Sequence, residues 1–227
     1  MSDPDAYITL MASLPDSERL FVAKQPPLSR LRLERRLKAL SPEDGGTLRL
    51  MEEALDWRRF DLDVTDAEAT ARAKHALARV RQPSLQAVLR DRLDVRTIVA
   101  ALRRRQQGEA APPPGWGASR FSGQIAARWG EPTFGLETTY PWLRTAHALL
   151  DAKDSLGFER LILDETHKMM RRRGAAHYFD IEAVVIYVLI WNIFDRWARS
   201  NAEAATRRFH AMAEAALGDH AAEFAEI

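Results

Sequence analysis

The chain has 227 residues, of which 46% are apolar and 29% are charged, and its formal net charge is +1. These proportions exclude a largely disordered chain and are typical of a protein long enough to bury a core. A charge so close to zero argues against a dedicated nucleic-acid binder. The chain has no cysteine, which excludes disulfides, thiolate catalysis and cysteine-bound metals and favours a reducing compartment.

The composition and periodicity predict an all-α protein. Leu, Ala, Arg and Glu are abundant, and most of these side chains lose little rotamer freedom in a helix. No segment combines a strand pattern with a hairpin partner. We therefore expect a bundle of about ten short helices. The predicted helices cover residues 5–13, 28–40, 42–59, 65–80, 84–107, 119–129, 138–151, 155–173, 180–200 and 202–217.

Two segments carry the signals of a helix start. Ser41 precedes Pro42, and two acidic residues follow in the first helical turn, where the helix dipole favours negative charge. Thr65 and Glu68 have the spacing of a capping box, in which each side chain binds the backbone N–H of the other residue. These signals predict helices that begin at Pro42 and directly after Thr65.

Residues 107–119 are the one clear interruption of the helical pattern. They contain three consecutive prolines, 112–114, which cannot continue a helix, with Gly115 and Gly117 on either side of Trp116. We expect a linker between two packed helical lobes, and the sequence leaves open whether 57–81 belongs to the first lobe. The predicted lobe, linker, lobe and acidic tail cover 1–106, 107–119, 120–218 and 219–227.

The longest apolar run, 181–194, is interrupted only by Glu182 and Asn192. It is too short to span a bilayer, and its apolar residues occupy every helical face, which predicts a buried core helix. The acidic start of the chain also lacks the pattern of a signal peptide, so a cytoplasmic protein is expected. Polar residues return near the end of this helix at spacings of three and four, which aligns them as one ridge. They are Asn192, Asp195, Arg196 and Arg199.

Sequence motifs for catalysis are absent. No phosphate-binding loop, nucleophile elbow or zincin helix pattern occurs, and we predict no catalytic residue, cofactor or metal. His167 follows Asp164 by three residues, and His177 lies in the next loop, so a metal site can be imagined. A solvated pair on an exposed helix face is the favoured interpretation of Asp164 and His167.

Two triple-arginine runs stand at predicted helix ends: Arg103, Arg104 and Arg105 in the first, and 171–173 in the second. Cations suit the negative end of a helix dipole, so solvated helix ends are favoured over docking to an acidic partner or lipid. The tryptophans are expected to anchor helix packing. Trp116, in the linker, is the one expected at an interface between lobes or subunits.

Two segments resemble a known family. Residues 158–217 run from Phe158 through the 171–173 arginines and Phe179-Asp180-Ile181 to Asn192 and Asp195-Arg196. This resembles the final module of the C subunit of V-type and archaeal A-type ATPases, called subunit d in eukaryotes. Residues 91–108 resemble the same family's Asp-Leu-x-Asn-x-x-Thr-x-x-Arg helix. The matching residues are Asp94, Arg96, Thr97 and the arginines that follow.

The N-terminal third resembles a smaller bacterial family of uncharacterised proteins that are encoded beside V-type ATPase subunits. The matching residues are Tyr7, Ala12-Ser13-Leu14-Pro15, Pro26-Pro27-Leu28-Ser29 and Leu40-Ser41-Pro42-Glu43-Asp44. Together the resemblances touch most of the chain, with a gap at 57–81. C subunits carry three helical modules and are longer than this chain, and the position of the family's asparagine is occupied here by Arg96 or is absent.

The resemblance implies an adaptor without chemistry of its own. It implies a non-catalytic subunit that links the central rotor shaft of a bacterial V-type ATPase to the membrane proteolipid ring. Such a protein would be cytoplasmic and peripheral to the inner membrane through the complex, and would serve ion or proton transport. The residues expected at partner contacts or in packing between modules are Arg96, Arg103, Arg104, Arg105, Trp116, Asn192, Asp195, Arg196 and Arg199.

Three other functions remain open. A helical assembly factor or regulatory adaptor would visit the ATPase without rotating in it. A helical enzyme of unrecognised type would need a deep pocket with convergent polar groups. A nucleic-acid binder would use the arginine clusters and would bind with a steep dependence on salt.

Overall fold

All regular structure in the described residues is helical. The computed structural model describes residues 4–16, 21–22, 25–55 and 65–200, and within those ranges it contains no strand. This confirms the prediction of an all-α protein. The predicted helix 202–217 and the acidic tail lie outside the described residues. The helices are α1 Pro4–Ser13, α2 Arg30–Leu37, α3 Pro42–Leu55, α4 Asp66–Arg79, α5 Pro83–Gln106, α6 Ser122–Ala127, α7 Leu143–Asp151, α8 Ser155–Gly174 and α9 over 181–200.

Side-chain caps fix the beginnings of the N-terminal helices. The Ser41 hydroxyl accepts a hydrogen bond from the backbone N–H of Asp44 at 3.2 Å and so caps α3. Thr65 and Glu68 form the complete capping box at the start of α4. Ser29 caps α2, which therefore begins at Arg30 and not at the predicted residue 28. Each cap satisfies amide groups that the first helical turn leaves without partners.

Two helices in the second half are shorter than predicted. The helix predicted over 138–151 begins at Leu143, because Pro141 disfavours the helical conformation at the residue before it. The helix predicted over 119–129 begins at Ser122. There the Ser119 hydroxyl accepts a hydrogen bond from the N–H of Phe121 at 2.9 Å, which favours a turn over a helical start.

The buried apolar residues form two clusters. The first joins α1–α4 and the first half of α5 to the end of α8 and to α9. The second joins the last half of α5 to Trp116, α6, α7 and the start of α8. Helix α5, about 36 Å long at 1.5 Å per residue, takes part in both clusters. The buried residues are therefore grouped across the predicted division at 107–119, because α9 packs with the N-terminal helices.

Helix α9 lies in the centre of the first cluster. Val184, Val185 and Val188 are completely buried, as expected of a helix that is apolar on every face. Two hydrogen bonds attach α9 to the N-terminal segment. Trp191 Nε1 donates to the carbonyl oxygen of Leu28 at 2.8 Å, and the Tyr187 hydroxyl donates to a carbonyl near the end of α1 at 3.0 Å. In the described ranges, no helix is both long and apolar enough to cross a membrane.

The segment from 107 to 119 packs closely on α5. Gly117 has a φ of +83°, and a Cβ atom there would lie 2.8 Å from Thr97 Cγ2 and from Ser122 Oγ. A side chain at this position would therefore meet both a steric and a conformational penalty. Gly108, with a φ of +88°, follows the end of α5 in the left-handed conformation that glycine adopts readily after a helix.

We predict that Leu89→Ala lowers the free energy of unfolding by about 2–5 kcal/mol, because Leu89 on α5 is fully buried in the first cluster and its truncation leaves a cavity. The matched control is Leu31→Ala on α2, where the leucine is exposed and the expected change is within about 0.5 kcal/mol. Urea unfolding followed by circular dichroism measures both changes. Equal losses in the two variants would contradict the assigned core.

We also predict a specific pH dependence at the contact between α9 and α1. Burial raises the pKa of the Tyr187 hydroxyl to about 12, whereas a tyrosine in the unfolded chain titrates near 10. Between those pH values unfolding releases the tyrosine proton, so the stability that this group contributes is complete below about pH 10 and is lost as the pH rises toward about 12.

The Tyr187→Phe variant measures this contribution. At neutral pH it should be less stable by about 1 kcal/mol, because the hydrogen bond to Pro15 is lost. The difference from the unmodified chain should shrink as the pH rises through the range in which Tyr187 titrates. Urea unfolding at several alkaline pH values tests this, and a constant difference would refute it.

Candidate functional site

A fully buried carboxylate, Asp94, organises one side of α5. Its oxygens accept hydrogen bonds from the Ser119 hydroxyl at 2.7 Å, from the Arg120 backbone N–H at 3.0 Å and from Arg120 Nε at 2.8 Å. The Tyr140 hydroxyl donates to the same carboxylate at 3.3 Å. Burial, together with the negative charge of Asp94, raises the pKa of Tyr140. Asp94 thus holds the chain after the 107–119 segment against α5.

One turn earlier, Asp91 joins two elements that are distant in the sequence. Its carboxylate pairs with Arg120 at 2.9 Å and accepts from Arg173 Nε, at the end of α8, at 2.8 Å. The hydrogen bonds that Arg120 donates to Asp94, and this ion pair, together raise the pKa of Arg120. The acidic residues of the 91–108 segment therefore serve as attachment points between helices.

The neighbouring cations of α5 face a different part of the interior. Arg92 Nη1 donates to the Thr166 hydroxyl of α8 at 2.9 Å, and Arg96 Nη1 donates to the carbonyl of Ala54 in α3 at 3.3 Å. Burial lowers the pKa of each guanidinium to about 10, and the positive charge of Arg196 lowers that of Arg92 further in the same direction. Both groups remain charged at neutral pH.

The polar ridge of α9 meets α3 and α8. Asn192 Nδ2 donates to Glu52 Oε1 of α3 at 3.3 Å. Arg196 forms a two-pronged ion pair with Glu159 of α8 at 2.6 and 2.9 Å. Planar guanidinium–carboxylate pairs of this kind fix orientation as well as distance.

The other two ridge residues pair with each other. Arg199 Nε donates to Asp195 Oδ2 at 3.0 Å, one turn away on α9. Arg199 is more than half exposed while Asp195 is nearly buried, so the pair lies at the edge of the protein surface. Solvent-exposed pairs of this kind contribute little to stability.

The arginines at the end of α5 each contact a different neighbour. Arg103 lies 3.5 Å from Glu159 and over the ring of Phe158. Arg104 pairs with Asp66 at 2.6 Å. Arg105 donates to the carbonyl oxygens of Glu131 and Pro132 and lies over Phe134. The described geometry thus assigns them contacts within the chain; the partner-binding role predicted for them stays a prediction.

Trp116 is buried in the second cluster. Its ring meets Trp129 edge to face, with 6.4 Å between the ring centroids. With Arg96, Thr97 and Gly117 it also lines a cavity of about 110 Å³ between α4 and α5. Its contacts join the 107–119 segment to the rest of the chain, and a contact with another subunit stays a prediction.

The predicted environment of His167 was wrong. His167 is buried and packs edge to face against Phe194 of α9, with 6.0 Å between the ring centroids. Asp164 instead forms an ion pair with Lys168 at 2.7 Å. Helix α8 belongs to both apolar clusters, so it buries a wider part of its surface than its apolar stripe indicated.

The structure brings His177 together with two carboxylates rather than with His167. His177, Asp180 and Glu182 offer ligand atoms that lie within 4.8 Å of one another. However, Asp180 already caps α9 by accepting the N–H of Ala183 at 2.7 Å, and it holds His177 Nδ1 at 2.7 Å. The positive end of the helix dipole disfavours a cation here, so a helix cap explains this cluster better than a metal site.

The ionic contacts between α5 and its neighbours were also missed. Asp91 and Asp94, spaced by three in a helix with apolar neighbours, were the available signal. Arg120 and Tyr140 lie in segments that approach α5 only after folding, and no sequence spacing indicates this. The Thr166 hydroxyl accepts a hydrogen bond from a guanidinium group. The arrangement is suited to holding helices and to binding negative charge.

We predict that Asp94→Asn lowers the free energy of unfolding by about 2–3 kcal/mol, because charge-assisted hydrogen bonds from Arg120 and Ser119 lose the buried negative charge. The control with the same chemical change is Glu43→Gln, an exposed carboxylate 3.8 Å from an exposed Arg81, which should change stability by less than about 0.5 kcal/mol. Urea unfolding compares them. An Asp94→Asn variant as stable as the control would show that the network does not support the fold.

Comparison with models of known families, with curated proteins and with solved structures gave no match.

Proposed function

We propose that this chain is a non-catalytic coupling subunit of a bacterial V-type ATPase, which joins the central rotor shaft to the proteolipid ring on the cytoplasmic side of the membrane. The observation that supports this is where the resembling residues lie in the fold. Residues of the N-terminal motifs meet α3 and α9, and α9 belongs to the segment that resembles the C subunit. The two resemblances therefore concern one continuous packed unit.

The N-terminal motif residues make specific polar contacts. The Tyr7 hydroxyl donates to Asp44 at 2.5 Å, and the Ser41 hydroxyl donates to the same carboxylate at 2.6 Å. The carbonyl oxygens of Pro15 and Leu28 accept from tyrosine and tryptophan side chains of α9. The N-terminal motif residues therefore have a structural reason to occur together, because they form hydrogen bonds with one another and with side chains of α9.

A part that transmits torque needs a stiff body, and the contacts between distant helices supply stiffness. Ion pairs join α2 to α3 through Arg30 and Glu52, and α8 to α9 through Glu159 and Arg196. Both are two-pronged, so each pair resists rotation as well as separation. Partly buried ion pairs contribute little to stability. Their proposed role here is to hold the paired helices in a fixed relative orientation.

The turn between α8 and α9 is the best candidate for contact with the rest of the complex. Tyr178 and Phe179 are adjacent there, with 67% and 54% of their surfaces exposed. The exposed arginines at 171–173 precede them at the end of α8. Exposed aromatic residues beside arginines are typical of the energetic centres of protein interfaces.

Co-purification tests the proposed function. The tagged chain is isolated from membranes of the bacterium that encodes it, solubilised in mild detergent, and the bound proteins are quantified by mass spectrometry. We expect shaft and ring subunits of the V-type ATPase in a constant ratio to the chain, retained in the fully assembled, active complex. Enrichment with partly assembled complexes alone would support an assembly factor instead. Absence of all ATPase subunits would refute both.

We further predict that the double substitution Tyr178→Ser and Phe179→Ser weakens association with the ATPase about tenfold or more, because two exposed aromatic contacts are lost. The control is Leu156→Ser, an equally exposed apolar residue near the other end of α8, about 27 Å from Gly174 along the helix axis. Both proteins should retain their helical circular dichroism. Equal binding by the two variants would exclude the α8–α9 turn as the contact.

A further inference from the structure

A small cavity lies between α5, α8 and α9, with Leu55 of α3 at its edge. Its volume is about 30 Å³. Its polar lining residues are Arg92, Thr166, Asn192 and Arg196, and the remaining lining residues are apolar. The described residues that line the cavity thus include two guanidinium groups and no carboxylate.

The charge of Arg196 is compensated by Glu159, which does not line the cavity and pairs with Arg196 at 2.6 Å. The nearby Glu52 is also engaged, because it accepts from Arg30 and Asn192. Arg92 differs. Within the described ranges, its hydrogen bond goes to the neutral Thr166 hydroxyl, and Arg196 and Arg96 are the charges that act on it.

A partly buried cation that has no anionic partner among the described residues is unfavourable, because it loses part of its hydration. The lowered pKa of Arg92, caused first by burial and then by the two other arginines, has the same physical origin. At neutral pH the guanidinium nevertheless stays charged. An anion in the adjoining cavity would supply the missing negative charge.

We infer that Arg92, Arg196, Thr166 and Asn192 form a binding site for one small anion, either a halide ion or a single carboxylate group. The two guanidinium groups offer charged N–H donors. The Thr166 oxygen accepts from Arg92 and so keeps its own O–H to donate. The proposal is independent of any role in a rotary ATPase.

The size of the cavity limits the ligand. About 30 Å³ corresponds to roughly two water molecules, which admits a chloride or bromide ion or a carboxylate group. A nucleotide or a sugar phosphate does not fit. The apolar residues Leu55, Ile162, Leu163, Leu189 and Ile193 complete the lining, and their low polarity strengthens the attraction between the anion and the arginines.

Thermal unfolding of the purified full chain tests the site. Sodium gluconate, whose anion is too large for the cavity, is replaced stepwise by sodium chloride, bromide or acetate at constant ionic strength. At ten times the dissociation constant, a bound anion raises the Tm by about 3–6 °C. A saturable rise with the halides alone identifies a halide site, and a rise with acetate identifies a carboxylate site.

The variants Arg92→Met and Arg172→Met separate specific binding from general salt effects. Arg172 is exposed at the end of α8, so its substitution should leave the response to small anions unchanged. Arg92→Met should abolish the response while the stability in gluconate stays equal or increases, because a partly buried cation that lies near two other arginines is removed. An equal response in all three proteins, or none in the unmodified chain, would overturn the proposal.

A direct measurement is available even if Arg92→Met fails to fold. Crystals of the unmodified chain soaked in sodium bromide should give an anomalous scattering peak in the cavity, in contact with the Arg92 guanidinium. Bromide peaks confined to the protein surface would overturn the halide site. A structure of crystals soaked in sodium acetate tests the carboxylate site, and the lack of both a bromide peak and acetate density in the cavity would overturn the proposal.

Discussion

The burial of α9 among helices from both halves of the chain is the constraint on which the other contacts depend. Its apolar residues leave no face for solvent, so α1, α3, α5 and α8 must surround it. Its buried polar groups then need hydrogen-bond partners, and several of them lie in other parts of the chain. The carbonyl of Leu28 meets Trp191, Glu52 meets Asn192, and Glu159 meets Arg196. These contacts determine how the two ends of the chain come together.

Charged residues of α5 differ in their partners. Most of them contact neighbouring segments of the chain, whereas Arg92 is proposed to bind an anion. Asp91 and Asp94 have cationic partners, and the arginines near the helix end contact carboxylates, carbonyl groups or aromatic rings. Arg92 lies between the two aspartates in the sequence. It faces a cavity whose described lining residues include a second arginine and no carboxylate. The excess of positive charge is therefore local, although the whole chain is nearly neutral.

The proposed coupling role depends on stiffness and on surface contacts, and the two are provided by different residues. Most residues that the sequence indicated as contacts, such as Arg104, Asn192 and Arg196, have intramolecular partners that hold helices together. The exposed aromatic residues of the α8–α9 turn, which the sequence did not indicate as contacts, offer a surface for a partner.

The sequence by itself determined the helical class, most of the helix positions, the caps at Ser41 and Thr65, and the burial of α9, because these depend on local propensity and periodicity. Tertiary structure alone decided the burial of His167, the attachment of Arg120 to Asp94, and the cavity beside Arg92. These depend on which helices become neighbours, and contacts between residues as distant as Leu28 and Trp191 leave no periodic signal in the sequence.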